Sequence, residues 1–225
     1  MRIVLSALLL AVFVPAPAHA ASDVLPSLEP VRSDLARHDL RESGGKTYLR
    51  FTGTVANKGK GGLHVIGRRN ARDLSLTAYQ QIEQSGGGTR EVKIGTIVYH
   101  DEHNHYHLDG VSRYRLFNAS GDVVRAAPKV TFCLTDSEPV SGGGVPVYLQ
   151  CTPSRDASTV KMGISPGWMD IYGKDLPGQS FDVTELMKLP KQDYTLEMTS
   201  NPLGLLHETN RDNPRTARVT VTLGS

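Results

Sequence analysis

The sequence is short of cysteine, tryptophan and apolar runs, and each shortage narrows what the chain can be. Two cysteines, Cys133 and Cys151, supply neither a cystine-rich framework nor a CxxC-type metal or redox motif. The one sustained apolar run, residues 3–14, is too short to span a bilayer, and no second run approaches that length. Charge is nearly balanced, 25 Lys and Arg against 23 Asp and Glu, so no basic footprint for nucleic acid and no charged tail is present. No internal repeat is visible. Aromatic residues make up only 6%, yet eight of them are tyrosines, several within alternating segments.

The apolar run has a context of its own. Arg2 precedes it, and Ala18-His19-Ala20 follows with small residues where a signal peptidase cuts. A secretory leader over residues 1–20 is predicted, leaving residues 21–225 as a single domain with no membrane span. Export to the periplasm or the outside is then the expected fate. In an oxidising compartment, two cysteines default to a disulfide, which would stabilise the fold by about 3 kcal/mol.

The rest reads with period two. Residues 47–57 (TYLRFTGTVAN), 90–99 (REVKIGTIVY), 111–118, 129–134, 193–200 and 215–223 alternate or are rich in β-branched and aromatic side chains. Turn chemistry separates them, as at Asn57-Lys58-Gly59, Asp109-Gly110, Ser120-Gly121 and Pro177-Gly178. The prediction is all-β: an antiparallel β-sandwich with long loops and little helix. Residues 74–84 are the best helical candidate, with one further turn near 184–187. Residues 137–146 are expected to form a flexible surface loop.

Four of the eight histidines fall between positions 100 and 107, in HDEHNHYH. His103, His105 and His107 recur at every second position, so on a strand they share a face, about 7 Å apart along it. Converging on one ion needs a bend or bulge, which a strand end near Asp109-Gly110 could supply. Three neutral imidazoles suit copper, zinc, iron or nickel and leave a position open for water or substrate. His100, Asp101 and Glu102 stand by as partners to those ligands. A solvated polar strand is the bland alternative, and it accounts poorly for three imidazoles at alternate positions with a fourth nearby.

YHDEHNHYH followed by LDGVSRYRLF resembles the copper-binding segment of the lysyl oxidase family. Further segments resemble that family in order: KVTFCLTD (residues 129–136), GISPGWMDIYGKDLPGQSFDVTEL, YTLEMTSNP and ETNRDN, together with LRFTGTVANKGKGGLHV near the start. The similarity extends over nearly all of residues 25–225. It implies that His103, His105 and His107 bind Cu(2+), and that Lys129 and Tyr172 become a lysine tyrosylquinone. It implies oxidation of primary amines, peptidyl-lysine among them, by molecular oxygen to aldehyde, ammonia and hydrogen peroxide. A neutral Lys129 would be needed, since an ordinary lysine near 10.4 is protonated at neutral pH. Asp101, Glu102, Asp109, Asp136 and Asp170 are the candidate bases.

The chain also departs from the family pattern. Animal members are cystine-rich, and the partners that their matching cysteines take are absent here, so a Cys133–Cys151 bond would be a rearranged pairing. Arg113 stands where a histidine is usual. The family's acidic Ca(2+) stretch survives only in part, as Glu208, Asn210 and Asn213, with Ser27 in place of an early aspartate. Two other readings use the same histidines: a periplasmic copper-binding module without catalysis, and a zinc hydrolase.

Overall fold

The computed structural model describes residues 21–70, 75–126, 131–140 and 142–225. The leader at 1–20 and Lys129 lie outside the described residues. Antiparallel strands dominate, as the alternation predicts. Among the described residues, helix is confined to one turn at Arg32–Leu35 and a 3-10 turn at Leu186–Lys188, the latter beside the expected turn. Among the described residues, no helix is long and apolar enough to cross a membrane.

The largest sheet runs Thr131–Phe132, His105–Asp109, Thr89–His100, Leu76–Gln84, Leu63–Arg69 and Thr159–Ile164, with Asp23–Val24 paired to Leu76–Gln84. A second sheet orders Val123–Ala126, Ser112–Phe117, Gln192–Ser200 and Thr216–Leu223. A third joins Glu138–Pro139, Trp168–Tyr172, Gly53–Asn57 and Leu28–Pro30. The fourth is Ser180–Asp182, Lys46–Phe51 and His38–Ser43. One apolar cluster ties them together. Phe51 and Phe181, Tyr114 and Leu196, and Leu108 and Phe132 all belong to it, and burial of that apolar area is the main stabilising term.

Two expectations need correction. Residues 74–84 are not helical: Leu76–Gln84 is a strand whose Leu76, Ala78, Gln80 and Ile82 point inward. The alternation was masked by Gln80, polar but fully buried, whose amide bonds both to the carbonyl (2.7 Å) and to the N–H (2.7 Å) of His207. The segment read as one strand over 47–57 breaks at Thr52, and its halves, Lys46–Phe51 and Gly53–Asn57, serve different sheets. The loop expected at 137–146 lies at the surface, with most of its described residues exposed, and it is tied down at several points. Glu138–Pro139 pairs with Trp168–Met169, the Val140 N–H donates to Gly167, and the Trp168 indole donates to the Gly144 carbonyl.

Candidate functional site

The histidines sit on a hairpin. Thr89–His100 and His105–Asp109 pair in the register His100 with His105 and Val98 with His107. Cross-strand partners share a face, so His100, His105 and His107 project together. His103 is not on the strand. It lies in the connecting turn, where its N–H donates to the His100 carbonyl and Asn104 takes a left-handed φ of +54°. Asparagine tolerates that conformation. The bend that brings the rings together therefore comes at the start of the second strand, not at its Asp109-Gly110 end.

The rings converge. Centroids are 5.8 Å apart for His103 and His105, 5.1 Å for His103 and His107, and 4.8 Å for His105 and His107. His100 stacks on His107 at 4.4 Å. The Thr131 hydroxyl lies 2.8 Å from His107 Nδ1 and so fixes that ring's rotation. Burial, and next the neighbouring His103, lower the pKa of His105 and favour the neutral, ligating form. Among the described residues, no set of three or more His, Cys, Asp or Glu side chains is closed around a point as a metal cage. The donor set nonetheless fits a copper or zinc ion, because the turn brings His103 to the face of His105 and His107 and the three ring centroids lie 4.8 to 5.8 Å apart.

Tyr172 ends the strand Trp168–Tyr172, opposite Gly53. Its hydroxyl donates to the Cys133 carbonyl at 2.8 Å, and Phe132 meets its ring edge-on at 4.2 Å. Burial, reinforced by Asp170, pushes the phenol well above its ordinary value. The Cys133–Cys151 disulfide is present, with Cα atoms 6.0 Å apart, and it anchors the segment that holds Tyr172. Thr131, two residues after the predicted cofactor lysine, touches His107, while Phe132 touches Tyr172.

A cavity of about 270 Å³ joins these pieces. His103, His105 and His107 form one wall with Glu102, and Tyr172, Phe132 and Thr131 form another. Tyr114 and Gln179 lie deep inside, and Leu176, Pro177 and Gly178 form an exposed rim. Tyr114 and Gln179 were not anticipated from the sequence. Tyr114 looks like any inward residue of an alternating strand, and Gln179 follows a Pro-Gly turn.

The candidate bases separate clearly. Asp101 is exposed and paired with Arg155, and Asp109 is exposed at a strand end. The Asp136 carboxylate accepts from Val147, Tyr148 and Ser165 N–H groups and the Ser165 hydroxyl, which makes it a structural anchor. Glu102 lines the cavity. Asp170 shares a strand face with Tyr172, two residues away, and burial pushes its pKa up to about 8. Arg113 alternates with Tyr114 and so faces away from it.

The residues matched to calcium lie between the C-terminal loop and the first strands. Glu208 accepts from the Leu28 N–H and from the Asn201 amide, each at 2.9 Å, while the Asn210 amide donates to Ser27 Oγ at 3.1 Å. These contacts hold the loop to the first strands.

The architecture and cavity define an all-β protein with a combined imidazole and phenol site. The family model described as lysyl oxidase matches residues 80–222, and the chain belongs to that family. It is 32% identical over 125 residues to lysyl oxidase homolog 2 of Bos taurus, covering 54% of this chain and 15% of that protein. The human lysyl oxidase homolog 2 is 31% identical over the same length. Lysyl oxidase homolog 3B of Danio rerio is 32% identical over 125 residues, or 14% of its own length. The chain thus spans about one-seventh of the curated relatives it matches.

Proposed function

We propose that this chain is an exported, copper-dependent amine oxidase that acts on primary amines, including peptidyl-lysine. The overall reaction consumes one amine, one water and one dioxygen. The carbon beside nitrogen is oxidised by two electrons to an aldehyde, nitrogen leaves as ammonia, and dioxygen is reduced to hydrogen peroxide. The observation that carries this reading is that His103, His105 and His107 share one cavity with Tyr172. A tyrosine ring beside three imidazoles is what self-derived quinone chemistry requires, whereas a metal-storage module or a zinc hydrolase has no need of it.

His103, His105 and His107 would hold copper as neutral ligands, with Thr131 fixing the orientation of His107. Copper and the quinone made from Tyr172 and Lys129 supply the oxidising chemistry when present. The chain's remaining groups orient and move protons. Phe132 and the Cys133 carbonyl clamp the Tyr172 ring. Asp170 holds a proton near neutrality, and Glu102 offers a carboxylate at the cavity wall. Export is supported by the leader-like N-terminus and by the disulfide, which persists in oxidising compartments.

The test is aerobic copper loading, followed by intact mass, visible absorbance and peroxide assay with a lysine peptide. A modified mass with quinone absorbance and peroxide release, all lost in Tyr172→Phe, is expected. An unmodified mass and no peroxide from fully loaded protein would leave a copper-binding module instead.

A further inference from the structure

Two oxygens deep in the cavity stand out. Tyr114 is 2% exposed and Gln179 5%, and Tyr114 Oη and Gln179 Oε1 are both buried without a hydrogen-bond partner among the described residues. Gln179 lies near enough to temper the phenol's pKa, yet no hydrogen bond of normal geometry joins the two. Leaving two such groups unmet costs about 1–3 kcal/mol each, so a site that keeps them is built to receive a polar ligand. Burial drives the Tyr114 pKa upward, and the phenol stays neutral.

The surroundings define the ligand. From the rim inward, Leu176, Pro177 and Phe132 give an apolar passage that suits an aliphatic chain. At its end stand two neutral oxygens. Asp170, which acts on Tyr114 through space, is kept protonated up to about 8 by burial, and Glu102 stands on the histidine wall, so an ammonium ion placed between these two neutral oxygens would meet no full negative charge and would be disfavoured. A free-base amine has two N–H donors and one lone pair. The Gln179 carbonyl oxygen accepts one N–H, and the Tyr114 hydroxyl, which both donates and accepts, meets the other N–H or the lone pair, in the same cavity as the Tyr172 ring.

We infer that Tyr114 and Gln179 form the subsite that receives the uncharged amino group of a primary alkylamine, with its carbon chain along Phe132, Leu176 and Pro177. The inference rests on the amine-oxidase reading for what happens next, but amine binding itself needs no quinone.

The experiment is a fluorine NMR titration with trifluoroethylamine, a weakly basic primary amine that is uncharged at neutral pH. The full chain is loaded with zinc, which is redox-inert, so no quinone forms and no paramagnetic broadening intrudes. Saturable binding is expected, weakened about threefold to tenfold by Tyr114→Phe and by Gln179→Leu separately, the loss expected for one hydrogen bond. Tyr114→Phe keeps the ring that packs on Phe51 at 4.8 Å, so the fold is preserved. Affinity unchanged in both variants, or no binding by the unmodified chain, overturns the subsite. Failure of quinone formation under copper and air would overturn the oxidase reading and leave this titration standing.

Discussion

The hydroxyl of Tyr114 occupies the space that a side chain at position 53 would fill: a Cβ on Gly53 would lie 1.6 Å from Tyr114 Oη and 2.6 Å from its Cζ. Gly53 is the strand partner of Tyr172, so the missing side chain lets one tyrosine reach in beside the other. Neither ring can back away, because Tyr114 packs on Phe51 and Tyr172 on Phe132. Gly53→Ala is therefore expected to destabilise the fold by about 2–3 kcal/mol, at the upper end of overpacking costs. Urea unfolding measures it. The cost should shrink in a Tyr114→Leu background, since the two residues share one space; equal costs in both backgrounds would show that the clash is relieved elsewhere.

Asp170 sets a pH dependence whose sign can be worked out. Its pKa is pushed up to about 8 by burial, whereas the unfolded chain releases that proton near 3.8. Between those values the native state holds a proton that the unfolded state has lost, so stability falls as pH rises and levels off above about 8. The slope from this one group is at most about 1.4 kcal/mol per pH unit. Asp170→Asn can still accept from Thr135 and removes the titration. The difference in unfolding free energy between variant and parent should therefore move in the variant's favour from pH 5 to pH 9. A difference independent of pH would mean that the carboxyl is ionised throughout.

Much of this architecture was legible in the sequence, and the failures have identifiable physical origins. Alternation in residues 216–223 marked a strand because apolar and polar side chains fall on opposite faces there, whereas in 90–99 an irregularity beside Gly95 switches the inward face from Ile94 to Ile97 and leaves Val98 exposed. It failed at 76–84 because a buried glutamine, satisfied by His207, breaks the apolar pattern without breaking the strand. The histidine spacing pointed to a shared face but not to its geometry, since His103 folds back from a turn whose left-handed residue is an asparagine rather than a glycine. Tyr114 and Gln179 left no local signal, because the first needs the space left by Gly53, 61 positions away, and the second is placed by accepting from the distant Phe51 N–H.

The disulfide should matter for the tyrosine as well as for the fold. Cys133 supplies the carbonyl that receives the Tyr172 hydroxyl, and the bond ties it to the segment around Cys151. Replacing both cysteines by alanine is expected to cost about 3 kcal/mol through the freed unfolded chain. Urea denaturation with and without reductant checks this: reductant should shift the parent to the variant's midpoint and leave the variant unmoved. A parent insensitive to reductant would show that the bond does not form in solution.

Thr131 offers the sharpest test of the histidine cluster, because it touches the candidate ligand set without belonging to it. Its hydroxyl at 2.8 Å holds one nitrogen of His107 and so decides which way the other faces. Thr131→Val keeps the shape and removes that hold, which should weaken Cu(2+) binding about tenfold to hundredfold. His107→Ala removes a donor outright and should cost more. His100→Ala removes a ring that stacks on His107 but is not one of the three candidate ligands, and should cost less than either. Competition with a chelator of known affinity ranks the three. If His100→Ala proved the most damaging, the metal would be held by a different trio on the same hairpin, and His103, out in the turn, would be the ligand to give up.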